Sequence, residues 1–248
     1  MIKKGIVSVT FRQFSPEKII SLAKENGLSC IEWGSDVHVP EGDLENAGRV
    51  AEMMKTAGLE TVSYGTYYRL GSYENPEEVF ENYLKTAHVL EAKNLRIWAG
   101  TKNSGDASPS ERAAMVNEAK KVCKMAKEQS KTVSFEYHSG TLTDNEDSAA
   151  RLMEEIGADN LYLYWQPNQF KSEEYNINAL KKVKKYVSNI HLFQWSGTER
   201  FPLKDGITVW KRYLELLDGD RAVLMEFVKD DTEQQFIEDV SAFSEIIK

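Results

Sequence analysis

Short β-branched or aromatic runs alternate eight times with longer segments whose apolar residues recur at helical spacing, and this alternation limits the chain to parallel β/α architectures. The strand-like runs are Gly5 to Phe11, Cys30 to Trp33, Glu60 to Tyr64, Asn94 to Trp98, Thr132 to Tyr137, Leu161 to Trp165, Asn189 to Trp195 and Ala222 to Val228. Over 248 residues the eight units average 31 residues, the size of one strand, one helix and their connections. Leu44, Ala47, Val50, Ala51, Met54 and Ala57 share one helical face; Val79, Phe80, Tyr83, Leu84, Ala87 and Leu90 share another. Ser15-Pro16-Glu17, Asn75-Pro76-Glu77 and Ser108-Pro109-Ser110-Glu111 each set a capping residue before a proline, with an acid in the first turn. Gly27, Gly58 and Gly157 stand where a helix should stop. A doubly wound sheet would carry a glycine-rich phosphate turn after the first strand, but Phe11-Arg12-Gln13-Phe14-Ser15 follows instead. The reading is an α/β fold, one (β/α)8 TIM barrel over residues 1–248, with functional groups at the C-terminal strand ends.

Composition narrows the partners. Asp and Glu number 39 against 31 Lys and Arg, a net charge of −8 that repels a phosphate backbone, so no nucleic-acid partner is expected. No apolar run approaches the ~18 residues of a membrane span, and no membrane association is expected. Cys30 and Cys123 form no C-x-x-C pair, and the chain opens Met1-Ile2-Lys3-Lys4 without a secretory leader, which leads us to expect a cytoplasmic protein. Homo-oligomerisation is left open.

Four residues interrupt or end apolar strands: Glu136 in Val133-Ser134-Phe135-Glu136, Gln166 after Leu163-Tyr164-Trp165, His191 in Asn189-Ile190-His191, and Glu226 after Val223-Leu224-Met225. A barrel carboxylate is costly to bury alone, so Glu136 and Glu226 must each meet a cation, a hydrogen-bond cluster or a metal. Strands five to eight supply one ligand-type residue apiece, as one divalent cation with oxygen and imidazole ligands would require. The simpler reading of the two glutamates is a buried salt bridge to Arg12 or Arg96.

The order and spacing of these four, 30, 25 and 35 residues apart, resemble the Glu, Asp, His, Glu metal set of the xylose-isomerase-like barrels, and the likeness covers essentially the whole chain. That superfamily includes sugar and sugar-phosphate isomerases and epimerases, inosose dehydratases, hydroxypyruvate isomerases and endonuclease IV. Arg96-Ile97-Trp98-Ala99-Gly100-Thr101-Lys102, and Glu136-Tyr137-His138 followed by Thr141-Leu142-Thr143-Asp144, are also similar to its 3-dehydroshikimate dehydratases. The resemblance implies an isomerase or epimerase of a small sugar, sugar phosphate or cyclic polyol ketone. The implied cofactor is one divalent ion (Mn, Mg, Co or Zn) on Glu136, Gln166, His191 and Glu226, with Glu136 and Glu226 moving protons through an enediolate. Where the family has Asp followed three residues later by His, this chain has Gln166-Pro167-Asn168-Gln169, so one charge is missing and the ion should be held more weakly, or not at all. The alternatives are a dehydratase acting on dehydroshikimate or an inosose, and a non-catalytic sugar-binding barrel. Endonuclease chemistry would need more than four histidines.

Substrate contacts are expected from Arg12, His38, Lys102, His138 and Gln169, and from Trp33, Trp98, Trp165 and Trp195 as a stacking wall for a sugar or polyol. Packing is the competing role for these tryptophans. A loop role weighs equally for His38, and His138 should face the same way as Glu136, two residues before it.

Overall fold

A computed structural model describes residues 1–248. Eight parallel strands close a barrel: β1 (Ile2–Val7), β2 (Cys30–Gly34), β3 (Glu60–Arg69), β4 (Asn94–Trp98), β5 (Thr132–Glu136), β6 (Leu161–Trp165), β7 (Val187–Leu192) and β10 (Arg221–Met225). They neighbour one another in chain order, and β10 closes the ring on β1 through pairs such as Gly5 with Leu224. The helices are α1 (Pro16–Glu25), α2 (Leu44–Ala57), α3 (Pro76–Val89), α4 (Pro109–Glu128), α5 (Glu146–Ile156), α6 (Glu173–Val183), α7 (Ile207–Glu215) and α8 (Glu233–Ile246). A two-stranded hairpin, β8 (Trp195–Ser196) with β9 (Glu199–Arg200), follows β7. No helix is long and apolar enough to cross a membrane.

The capping signals act much as expected. Ser15 accepts from the Lys18 N–H, and Ser108 with Glu111 forms a reciprocal capping box at α4. Gly58 and Gly157 end α2 and α5 at φ of 73° and 63°. Asn75 departs from the pattern, since its side chain caps nothing and Pro76 alone starts α3.

A continuous cluster of 58 buried apolar residues fills the layer between barrel and helices, while six more, including Val7, Cys30, Tyr164 and Leu224, form a separate cluster. Polar groups share the barrel interior: Asn94 donates to Ser63 Oγ at 3.0 Å, Ser134 donates to Asn94 at 2.8 Å, and Asn189 donates to the Tyr164 hydroxyl at 2.7 Å. These bonds meet the requirement that buried polar groups be paired.

Several strand limits differ from the sequence reading, and β3 runs past Tyr64 to Arg69. The first strand stops at Val7 and passes into a 3-10 turn over Ser8–Phe11, where the Ser8 hydroxyl accepts from the Gly34 N–H at 2.9 Å. The seventh stops at Leu192, so Trp195 belongs to the hairpin. The last stops at Met225 because Phe227 takes a left-handed conformation, φ 55°, which cannot continue a ladder. Thr10 fixes that turn: its hydroxyl donates to the Met225 carbonyl and accepts from the Phe227 N–H at 3.1 Å, which aims Glu226 into the barrel mouth.

Candidate active site

Alternation along a strand sends every second side chain to the barrel axis. At the C-terminal end this brings together Glu32 from β2, Arg96 from β4, Glu136 from β5, Gln166 just past β6, His191 from β7 and Glu226 just past β10, all buried. One oxygen or nitrogen from each of Glu136, His191 and Glu226 lies within 4.8 Å of the others. The His191 Nδ1 is 3.4 Å from Glu226 Oε2 and 3.7 Å from Glu136 Oε1. Gln166 completes the set, with its amide oxygen 3.3 Å from His191 Nδ1 and its amide nitrogen donating to Glu136 at 3.4 Å. The four residues expected to share a site therefore share one.

Glu32 was not among the expected site residues, and Arg96 was expected only as a salt-bridge partner of the two glutamates. Arg96 is 3% exposed and spans two carboxylates, Nε donating to Glu32 Oε1 at 2.8 Å and Nη1 to Glu136 Oε2. The salt-bridge reading of Glu136 thus holds through Oε2, and Oε1 is left facing Gln166 and His191. Gly65 makes the pair feasible, since a Cβ there would stand 2.7 Å from both the Arg96 Nη2 and the Glu32 Oε1. Gly65→Ala should displace the pair and lower stability by about 1–3 kcal/mol, the range for an overpacked core. An unchanged denaturation midpoint would show that the pair can shift freely.

The electrostatics follow from this packing. Burial pushes the Glu32 and Glu136 carboxyls up, but Arg96 and His191 outweigh it and hold both at about 2. Burial also raises the Glu226 carboxyl, assisted by the charge of Glu136 and opposed by His191 and Arg96. Burial lowers the His191 imidazole, yet Glu226, Glu136 and Glu32 carry it up to about 10. Three carboxylates and one guanidinium leave the cluster at −2, which a divalent cation with a neutral imidazole would neutralise. The hard oxygen donors, the imidazole and this charge fit such an ion. Ligation needs the imidazole neutral, so binding at pH 7 displaces protons and affinity should climb from pH 6 to 8. Calorimetry in two buffers of different ionisation enthalpy measures the release; affinity independent of pH would contradict it.

Around the cluster lies a cavity of about 260 Å³, lined among others by Arg12, Tyr67, Arg69, Trp98, His138, Gln169, Phe193, Trp195 and Phe227. The Arg12 Nε is committed to Asp36 at 2.5 Å. The His138 ring stands edge-on to Trp98 with centroids 5.0 Å apart, and its Nδ1 lies 2.6 Å from the Ser139 carbonyl. That carbonyl only accepts, so Nδ1 carries a hydrogen and Nε2 is the ring nitrogen without a protein partner. The indole N–H groups of Trp98 and Trp195 are buried without a protein acceptor.

Four of the expected contacts lie elsewhere in the structure. Trp33 and Trp165 have the opposite strand parity to Glu32 and Gln166 and lie in the outer core, Trp165 against Trp210 and Tyr213. Trp33 packs edge-on to His38, whose Nε2 meets the Phe14 carbonyl at 3.2 Å, so both serve the loop after β2. Lys102 is exposed and bound to Glu111 at 2.6 Å, outside the cavity wall. The tryptophan wall thus reduces to Trp98 and Trp195.

The model of the xylose isomerase-like TIM barrel family matches residues 20–245. The chain belongs to that family. Among xylose isomerase-like barrels, it is 28% identical over 206 residues to a 3-dehydroshikimate dehydratase of Bacillus anthracis, covering 80% of this chain and 74% of the relative. The crystal structure of the probable 3-dehydroshikimate dehydratase involved in petrobactin synthesis in B. anthracis superposes with a TM-score of 0.82 at 20% identity, over 98% of this chain and 99% of that one. A xylose isomerase-like barrel from Mycobacterium smegmatis, solved in complex with magnesium, gives 0.72 at 14% identity, over 95% and 90% of the two chains.

Proposed function

We propose that this barrel is a metal-assisted dehydratase, which removes the proton beside a carbonyl of a small polyhydroxylated compound and expels a β-hydroxyl. The observation that carries this reading is the Arg96 clamp on Glu136. Epimerisation wants two bases of similar proton affinity, one to deprotonate and one to return the proton on the other face. A carboxylate bound to a buried guanidinium is a poor proton acceptor, so Glu136 and Glu226 make an unequal pair, and chemistry with one base fits better. The similarity to a 3-dehydroshikimate dehydratase supports dehydration over the other single-base reaction, an aldose–ketose shift.

A divalent ion on Glu136, Gln166, His191 and Glu226 would polarise the carbonyl and stabilise the developing enolate oxygen. Arg96 and Glu32 hold Glu136 in position. His138 takes the carbon-bound proton on Nε2, with Nδ1 anchored to the Ser139 carbonyl, and returns it to the departing hydroxyl, so that water leaves and the imidazole is neutral again. Trp98 and Trp195 wall the site. The test is to incubate manganese-supplied protein with 3-dehydroshikimate and follow ultraviolet absorbance, since loss of water from that ring yields a dihydroxybenzoate. Turnover of ketoses to their epimers, with dehydroshikimate left intact, would overturn the proposal in favour of the two-base reaction.

A further inference from the structure

The chain has nine arginines, and eight of them are engaged. At the mouth, Arg12 meets Asp36 and Arg200 meets Asp231, each at 2.5 Å, while Arg96 lies between Glu32 and Glu136. Away from it, Arg49, Arg112, Arg151 and Arg212 pair with carboxylates, and Arg221 donates to backbone carbonyls. Arg69 alone has no protein acceptor for its guanidinium, neither a carboxylate nor a backbone carbonyl. It ends β3, pairs in register with Trp98, and places its guanidinium carbon 4.3 Å from the centre of the Trp98 ring. It lines the same cavity as Glu136, His138 and Glu226.

Stacking uses the flat face of a guanidinium and leaves its edge of N–H donors free, a fork that matches the two oxygens of a carboxylate or phosphate. The indole also fixes the fork, so little rotamer freedom is lost when an anion arrives. No lysine lines the cavity to serve instead. We infer that Arg69 binds an oxyanion group of the substrate, so that the dehydratase proposed above, on which this inference rests for its substrate, acts on an anionic polyol ketone rather than a neutral sugar.

Calorimetry on manganese-supplied protein tests this with three probes sharing a polyol ring: quinate with a carboxylate, myo-inositol phosphate, and uncharged myo-inositol. Wild-type protein should bind quinate or the phosphate about tenfold or more tightly over myo-inositol, the worth of a charge-assisted hydrogen bond, and the preferred anion identifies the group. Arg69→Gln should erase the preference and leave myo-inositol binding unchanged, while Arg69→Lys, a point charge without the fork, should keep part of it. Circular dichroism confirms that both variants fold. A preference retained in Arg69→Gln would assign the anion to the metal and overturn the inference, as would a wild-type protein with no preference. A preference that depends on Arg69, in a protein that dehydrates nothing, would uphold the inference and overturn the dehydration.

Discussion

Replacing Arg96 by Met should cost the fold about 3–5 kcal/mol at pH 7, the loss that follows when one partner of a buried ion pair is removed and the other charge stays. Arg96 is 3% exposed and donates to both carboxylates, so its removal leaves two buried charges facing only the single imidazole of His191, at 3.6 and 3.7 Å. The pH dependence gives a second check. Arg96 and His191 overcome burial and hold Glu32 and Glu136 at about 2, below the ordinary value of 4.5. Their contribution is therefore fully present above 4.5 and lost as pH falls toward 2. The variant lacks it, so the two stability curves should converge in acid. Added manganese should recover part of the loss by neutralising the same carboxylates. Should Arg96→Met not accumulate folded, the double variant with Glu32→Gln removes one stranded charge and should be the more stable protein. A midpoint of chemical denaturation equal to wild type at pH 7 would mean that the cluster is hydrated.

His138→Asn should lower turnover by two or more orders of magnitude, the usual worth of a positioned acid–base group, with manganese affinity unchanged. Glu226→Gln should also lower turnover, but through the ion, so its manganese affinity should fall as well. These two readouts separate a base from a ligand. A Glu226→Gln protein that holds manganese at wild-type affinity yet exchanges no carbon-bound hydrogen, beside an active His138→Asn, would transfer the base role to Glu226.

The barrel and the convergence of Glu136, Gln166, His191 and Glu226 were legible because they depend on local repetition: eight strand–helix alternations, and a polar residue interrupting or ending each of four apolar strands. Glu32 escaped that reading and Arg96 entered it only as a salt-bridge partner, although the same signal marks both. Glu32 precedes Trp33 in β2, and Arg96 lies two residues before Trp98 in β4, so both share the inward parity of the site. Parity would equally have excluded Trp33 and Trp165. The pairing of Arg96 with Glu32 and Glu136 depends on contacts 64 and 40 residues apart and on the missing side chain at Gly65, none of which periodicity encodes. Lys102 was misread because a cation near a strand end looks available until Glu111 of the α4 capping box is seen to hold it.

The reaction proposed for this mouth is the breaking of a carbon–hydrogen bond beside a carbonyl by a single base. Proton NMR in deuterium oxide measures that event directly on the proposed keto-polyol substrate, with manganese-supplied wild type and His138→Asn side by side. The wild type should give the dehydrated product, with deuterium in recovered substrate only at the carbon beside the carbonyl; His138→Asn should give neither. Bound substrate whose carbon-bound hydrogens all persist in the presence of wild-type protein and excess manganese would contradict the account.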